Sequence, residues 1–115
     1  VKVSTSKTSI LFSGDLGRSN DILMKGPAKG LSADYLVVES TYGDRKHEPI
    51  DIVKQLGEII QRTAERKGVV IIPAFSVGRS QAILYAIYLL KQSGKLLDVP
   101  VFLNSPMSVN TMAIY

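Results

Sequence analysis

Two carboxylates occupy positions where an α/β protein would put its chemistry. Asp15 lies in Ser13-Gly14-Asp15-Leu16-Gly17-Arg18, directly after the apolar run Ile10-Leu11-Phe12. Glu39 follows Tyr35-Leu36-Val37-Val38 and precedes Ser40-Thr41-Tyr42-Gly43. Each acid thus stands at the end of an expected strand, before a glycine-bearing loop, which is where ligands meet such sheets. Carboxylate oxygens there suit cations such as Zn²⁺, Mn²⁺ or Mg²⁺, and they also suit acid–base work. Each acid has a plainer reading. Asp commonly caps its own turn, and the local pattern favours that for Asp15. For Glu39 an ordinary strand exit to solvent stands level with a metal-site or acid–base role. His47 is the only histidine, and in a polar loop it reads as a surface residue. A histidine-built metal site needs several such side chains. These residues alone therefore assemble no complete zinc site.

Two further stretches could hold an anion. Ser76-Val77-Gly78-Arg79-Ser80-Gln81 forms an expected strand-to-helix junction. Free N–H groups and the positive end of the helix dipole favour phosphate there, and Arg79 could add a bidentate contact. It is not a P-loop, because the Gly-Lys-Ser/Thr ending is absent. The plain alternative is a serine-capped helix with Arg79 in solvent. Ser105-Pro106-Met107-Ser108 offers a second helix start of the same type. Ser76, Gly78, Arg79 and Ser105 are the candidate phosphate-binding residues. Together with Asp15 and Glu39 they put polar groups on four strand-end loops, which argues for one shared cleft.

The elements that must position these residues follow from pattern. Residues 1–9 alternate Val1 and Val3 with polar residues and suit an edge strand. Residues 9–13 and 33–38 are the clearest strands. Between them, residues 15–31 have no period and carry Gly17, Gly26, Pro27 and Gly30, so a long ordered loop is expected. Pro49 suits the first residue of a helix. Ile52, Val53, Leu56, Ile59, Ile60 and Ala64 then follow at helical spacing, with Gly68 as the C-terminal cap. Residues 69–72 and 100–103 read as strands. Between them a helix runs from Arg79 to about Gln92, capped by Gly94 and apolar nearly all round, hence buried on several sides. Ser105 is a natural N-cap with Pro106 in the first turn of a last helix. From Pro49 the order helix, strand, helix, strand, helix is that of a doubly wound α/β domain with parallel strands.

Composition sets the outer bounds. The chain has 115 residues, 45% hydrophobic, enough for a core in one domain or part of one. Its longest apolar stretch, residues 82–90, falls short of the ~20 residues of a membrane span. It contains no cysteine, which removes disulfides and thiolate metal sites and fits a reducing, cytoplasmic setting. A net charge of +4 is compatible with a polyanion, but no Lys/Arg cluster marks a binding stripe. The chain starts at Val1 and stops at Ile114-Tyr115 within an expected helix. Those edges read as a segment of a longer protein.

These blocks in this order, with Val38-Glu39-Ser40-Thr41-Tyr42-Gly43-Asp44-Arg45, His47 and Asn104-Ser105-Pro106-Met107, resemble the β-CASP branch of the metallo-β-lactamase superfamily. That branch includes the nuclease subunit of the eukaryotic cleavage and polyadenylation factor and bacterial ribonuclease J. The resemblance covers essentially the whole chain. It implies a metal-dependent RNA phosphodiesterase, with two metal ions, usually zinc, activating a water. Asp15 matches the carboxylate that bridges the metals. Glu39 matches the acid that opens the β-CASP part and pairs with a later histidine. The Ser76–Gln81 and Ser105 blocks lie beside the RNA cleft.

The family's His-x-His-x-Asp-His motif is absent, so Asp15 is the one clear metal ligand. The resemblance therefore implies an internal piece, with residues 1–43 from the metallo-β-lactamase domain and 44–115 from the start of a Rossmann-like β-CASP domain. Such a piece is expected to bind zinc poorly, to be inactive by itself and to dimerise through exposed strand edges. The competing readings are a non-catalytic RNA- or partner-binding family member and, apart from the resemblance, a nucleotide-binding module built on the Ser76 turn.

Overall fold

Residues 9–12 and 35–37 are short β-branched and apolar runs, and in the computed structural model they form the strands that carry the two acids. The structure describes residues 1–114 and divides into two compact units, residues 1–48 and residues 49–115. In the first unit, β1 (Lys2–Ser4), β2 (Ser9–Phe12) and β3 (Tyr35–Val37) make a sheet of order β1-β2-β3. β1 pairs antiparallel with β2 through a turn in which Thr5 Oγ1 accepts from the amides of Lys7 and Thr8. β2 pairs parallel with β3, with Ile10 opposite Tyr35 and Phe12 opposite Val37. The expected edge strand and both expected strands are present. Tyr35, Leu36 and Val37 are exposed within the described chain. The loop after Gly17 is ordered by its own contacts. Asp21 Oδ1 accepts from the amides of Leu23 and Met24 at 2.8 Å, and Gly26 lies so close to Ser19 that a Cβ would meet its Cα at 3.0 Å.

In the second unit, α1 (Ile52–Glu65), α2 (Arg79–Gln92) and α3 (Pro106–Met112) are linked by segments that are neither helix nor strand. α1 packs along α2, and α3 meets α2. The core consists of Ile60, Ala86, Ile87 and Leu90. Gly57 marks the closest approach, because a Cβ there would stand 2.8 Å from Leu90 Cδ2. The Ser105 N-cap and the Pro106 start of α3 are as expected, with Ser105 Oγ accepting from Ser108 N. Gly94, at φ 66°, closes α2 as expected.

Several expectations are corrected. α1 starts at Ile52, not Pro49, because Asp51 Oδ1 accepts from Lys54 N and makes the better cap. The left-handed residue after α1 is Lys67, at φ 57°, not Gly68. Gly68 N instead donates to Thr63 O, and Lys67 N to Ala64 O, the paired bonds of a Schellman end. α2 is not buried on several sides, since Tyr85 and Tyr88 stack together on an exposed face. α3 ends at Met112 with Ala113 as its C-cap, so the expected continuation is not seen, and Tyr115 lies outside the described residues.

Residues 69–72 and 100–103 are not strands: they make no ladder hydrogen bonds among the described residues. Val69 and Ile71 are 83% exposed and Phe102 86%. β-propensity measures fit to a pleated, half-buried surface rather than a backbone preference, so an apolar run without a neighbouring strand stays merely extended. The doubly wound pattern expected from Pro49 is therefore represented by its helices alone. Among the described residues the chain is α/β, with three strands and three helices. No helix among the described residues is long and apolar enough to cross a membrane.

Candidate functional site

The C-terminal ends of β2 and β3 meet at Ser13. Its amide donates to Val37 O at 2.9 Å, extending the parallel ladder by one bond. Its hydroxyl accepts from Glu39 N at 3.0 Å and donates to Gly14 O at 2.6 Å. Gly14 then turns at φ 60°, a left-handed conformation that glycine adopts without a Cβ penalty. The Glu39 side chain returns to the same loop. Its Oε1 accepts from Leu16 N at 3.3 Å and its Oε2 from Thr41 N at 2.9 Å. The structure thus brings the loops of Asp15 and Glu39 together.

The two acids differ in kind. Glu39 is held below the usual carboxylate range by the Thr41 backbone N–H first, then the Thr41 hydroxyl and the Leu16 N–H. A carboxylate kept ionised by amide donors is a weak proton acceptor and suits holding a loop better than shuttling protons. Asp15 is exposed and makes no hydrogen bond among the described residues. The turn-capping role that the local pattern favours for Asp15 therefore falls to Glu39, which takes Leu16 N. The Asp15 carboxylate remains available to a ligand.

A second polar cluster lies in the helical unit. Ser76 Oγ and Ser105 Oγ share a hydrogen bond of 3.2 Å, which joins two of the expected phosphate-binding residues. Ser80 Oγ donates to Phe75 O at 2.8 Å, and Ser108 Oγ reaches Ser80 Oγ at 3.5 Å. Gln81 Nε2 donates to Ser76 O and to Thr111 Oγ1. Gln81 Oε1 is buried without a partner among the described residues. α2 is capped by Gly78 at φ 78° with no side-chain cap, so the serine-cap alternative for Ser76 does not hold. Arg79 is exposed, and its amide turns back to Val77 O, while that of Ser80 turns to Phe75 O. These two N–H groups face carbonyls, which lessens what the turn alone can offer an anion.

Asp15 with Glu39 and Ser76 with Ser105 are pairs in separate units. His47 is exposed and packs edge-on against Tyr42, with ring centroids 5.0 Å apart. No group of three or more His, Cys, Asp or Glu side chains that could hold a metal ion occurs among the described residues. The sequence reading missed Ser13, Gln81 and Thr111. The one available signal was Ser13 itself, a hydroxyl placed where a strand yields to Gly-Asp.

Comparison with known proteins covers nearly the whole chain. It is 36% identical over 108 residues to Ribonuclease TTHA0252 of Thermus thermophilus, spanning 93% of this chain and 25% of that protein. It is 37% identical over 110 residues to an RNase J-like protein of Methanocaldococcus jannaschii, with 92% and 26% spanned. It is 31% identical over 117 residues to cleavage and polyadenylation specificity factor subunit 3 of Dictyostelium discoideum, with 98% and 15% spanned. The chain thus spans about a quarter or less of the length of these curated relatives. No family profile matches it. The match to these relatives, at 31–37% identity over more than nine-tenths of this chain, shows that the chain belongs to the β-CASP branch of the metallo-β-lactamase superfamily.

Proposed function

We propose that this chain is part of a metal-dependent hydrolase that cleaves RNA phosphodiester bonds. The observation that carries the reading is the Asp15 carboxylate, without a hydrogen-bond partner among the described residues, on a loop pinned from both sides. The relatives' names as ribonucleases support RNA as the substrate class. A lone carboxylate fits a metal centre as one ligand, and the remaining ligands would come from outside residues 1–115. Bound metal, zinc by family likeness, would supply an activated water and charge stabilisation at the phosphate. Glu39 and Ser13 hold the loop that presents Asp15. Ser76, Gly78, Arg79 and Ser105 would lie along the RNA path, with Arg79 as the cationic contact.

In this reading residues 1–43 belong to a metallo-β-lactamase domain and residues 44–115 to the start of a Rossmann-like β-CASP domain. The separation into units at residues 48 and 49 supports that division. The 115-residue chain by itself binds zinc weakly, does not cleave RNA, and dimerises through its open strand edges; its setting is cytoplasmic. Stoichiometric, tightly held zinc in the isolated chain, or a clean monomer by light scattering, would overturn the corresponding part.

The central test uses the full-length protein with end-labelled RNA and metal, wild type beside Asp15→Ala. Loss of cleavage in the variant is expected. RNA bound but never cut by wild type would instead indicate a non-catalytic RNA-binding member of the family. Equal cleavage by both proteins would remove Asp15 from the centre.

A further inference from the structure

Ser76 Oγ and Ser105 Oγ, half-buried and 29 residues apart, share one hydrogen bond of 3.2 Å. Two hydroxyl hydrogens serve that one bond, and neither serine donates to another group among the described residues. One O–H is therefore left to donate outward, whichever serine carries it. Gln81, only 2% exposed, ties the two loops together. One Nε2 hydrogen goes to Ser76 O at 3.1 Å and the other to Thr111 Oγ1 at 3.2 Å. Thr111 passes its own hydrogen to Met107 O at 2.7 Å, in the turn that follows the Ser105 cap. The other links between the loops are longer: Ser108 Oγ to Ser80 Oγ at 3.5 Å and Thr111 Oγ1 to Ser76 O at 3.4 Å. The orientation of the Gln81 amide is fixed by these partners, because turning it over would set two acceptors, Oε1 and Ser76 O, against each other. Gln81 Oε1 is thereby left buried without a partner among the described residues, which costs stability. That cost is tolerated where the same amide joins two loops.

We infer that Gln81 is a positioning residue for RNA binding: its amide holds the Ser76 and Ser105 hydroxyls together, so that the pair presents one O–H to one phosphate oxygen. The inference rests on the reading of Ser76 and Ser105 as phosphate contacts, and it adds two things to that reading. The two serines count as a single donor, and the residue that controls the donor is buried away from RNA. Methionine has the length of glutamine without its amide. It loses both Nε2 bonds but also removes the unpartnered Oε1, so the fold should persist while the serines separate. Glutamate keeps the shape, and it can donate to Ser76 O only while its carboxyl is protonated.

The experiment compares wild type, Ser76→Ala, Gln81→Met, the double variant Ser76→Ala/Gln81→Met, Gln81→Glu and Arg79→Ala in the full-length protein. Affinity for a single-stranded oligoribonucleotide is read by stopped-flow anisotropy, before cleavage proceeds. Ser76→Ala should weaken binding about tenfold, the scale of one hydrogen bond to a charged group. Gln81→Met should weaken it about as much, and the double variant no further, since both changes remove the same donor. In Gln81→Glu, affinity should fall as pH rises between about 5 and 8, where a buried carboxyl loses its proton, against a flat profile in wild type. Weakened binding in Ser76→Ala with wild-type affinity in Gln81→Met overturns the role of Gln81 and leaves the phosphate-contact reading standing. Losses that multiply in the double variant also overturn it, because Gln81 would then act elsewhere. Wild-type affinity in both Ser76→Ala and Arg79→Ala overturns the phosphate-contact reading, and the inference with it. If Gln81→Met does not fold, Gln81→Glu decides: affinity that follows pH upholds the inference, and affinity indifferent to pH overturns it.

Discussion

Asp34 Oδ2 accepts two hydrogen bonds from Ser9, one from its amide at 2.7 Å and one from its hydroxyl at 2.8 Å. Those bonds, the Ser9 hydroxyl first and its amide second, hold the Asp34 carboxyl below its ordinary value. A folded-state value below the unfolded one gives stability that is present above the unfolded value and is lost as pH falls through the folded value. Glu39, lowered by its amide donors, acts in the same sense. The β2–β3 pair should therefore loosen on acidification below about pH 4. Amide exchange within β2, followed against pH, should show this, and Asp34→Asn should flatten the dependence while weakening the pair at neutral pH. An unchanged pH profile in Asp34→Asn would remove the role given to Asp34.

The end of α1 should accept a stabilising change. Lys67 sits at φ 57°, where a Cβ costs roughly 1 kcal/mol, and Lys67→Gly should raise the stability of the helical unit by about that much. Gly68→Ala should do the opposite, since a Cβ there would stand 2.9 Å from Thr63 Cγ2 and 3.2 Å from Thr63 O. Urea unfolding of the 115-residue chain, monitored by helical circular dichroism, would separate the two. A loss in Lys67→Gly would show that the Schellman end is not formed.

Gly57 and Leu90 should be energetically coupled. Leu90→Ala should cost about 2–5 kcal/mol as a core truncation. Gly57→Val should cost about 1–3 kcal/mol by overpacking against Leu90. In the double variant the added bulk meets the space left by leucine, so the losses should fall short of additive by about 1 kcal/mol. Strict additivity in a double-mutant cycle would mean that α1 and α2 do not approach at Gly57.

Ser105→Ala removes both the α3 cap and the bond to Ser76. It should cost about 1 kcal/mol and fray α3, visible as faster amide exchange at Ser108. Ser76→Ala should leave the Ser108 amide protected, because the cap itself is intact. Equal exchange in the two variants would show that Ser76 supports the cap directly.

Much of this was legible where a rule acts within a few residues. The β-branched and apolar runs gave β2 and β3, Ser105-Pro106 gave the start of α3, and Gly94 gave the end of α2. Legibility failed where two local rules compete. Pro49 and Asp51 both suit a helix start, and the carboxylate that can reach Lys54 N prevails. Gly68 reads as the left-handed cap, yet close packing on Thr63 is what requires glycine there. It failed again at distance. The hydroxyl of Ser13 meets Glu39 only because a parallel register aligns residues 26 apart, and no local window contains both. The apolar segments at 69–72 and 100–103 carry a strand's composition without a partner to complete it. In the candidate site, the acids were found from position and residue type. The division of labour between Asp15, without a hydrogen-bond partner among the described residues, and a bound Glu39 became visible only with the hydrogen bonds.

The loop between β2 and β3 has fixed feet. Ser13 and Glu39 fasten the end at Asp15, and Ser9 and Asp34 fasten the end that enters β3. What lies between can change length or composition without disturbing either attachment, since lengthening a closed loop costs little. Insertions near Lys29 should thus be among the edits this region absorbs most readily. A lineage could remodel that excursion to meet new surroundings while inheriting the acid at its base unaltered.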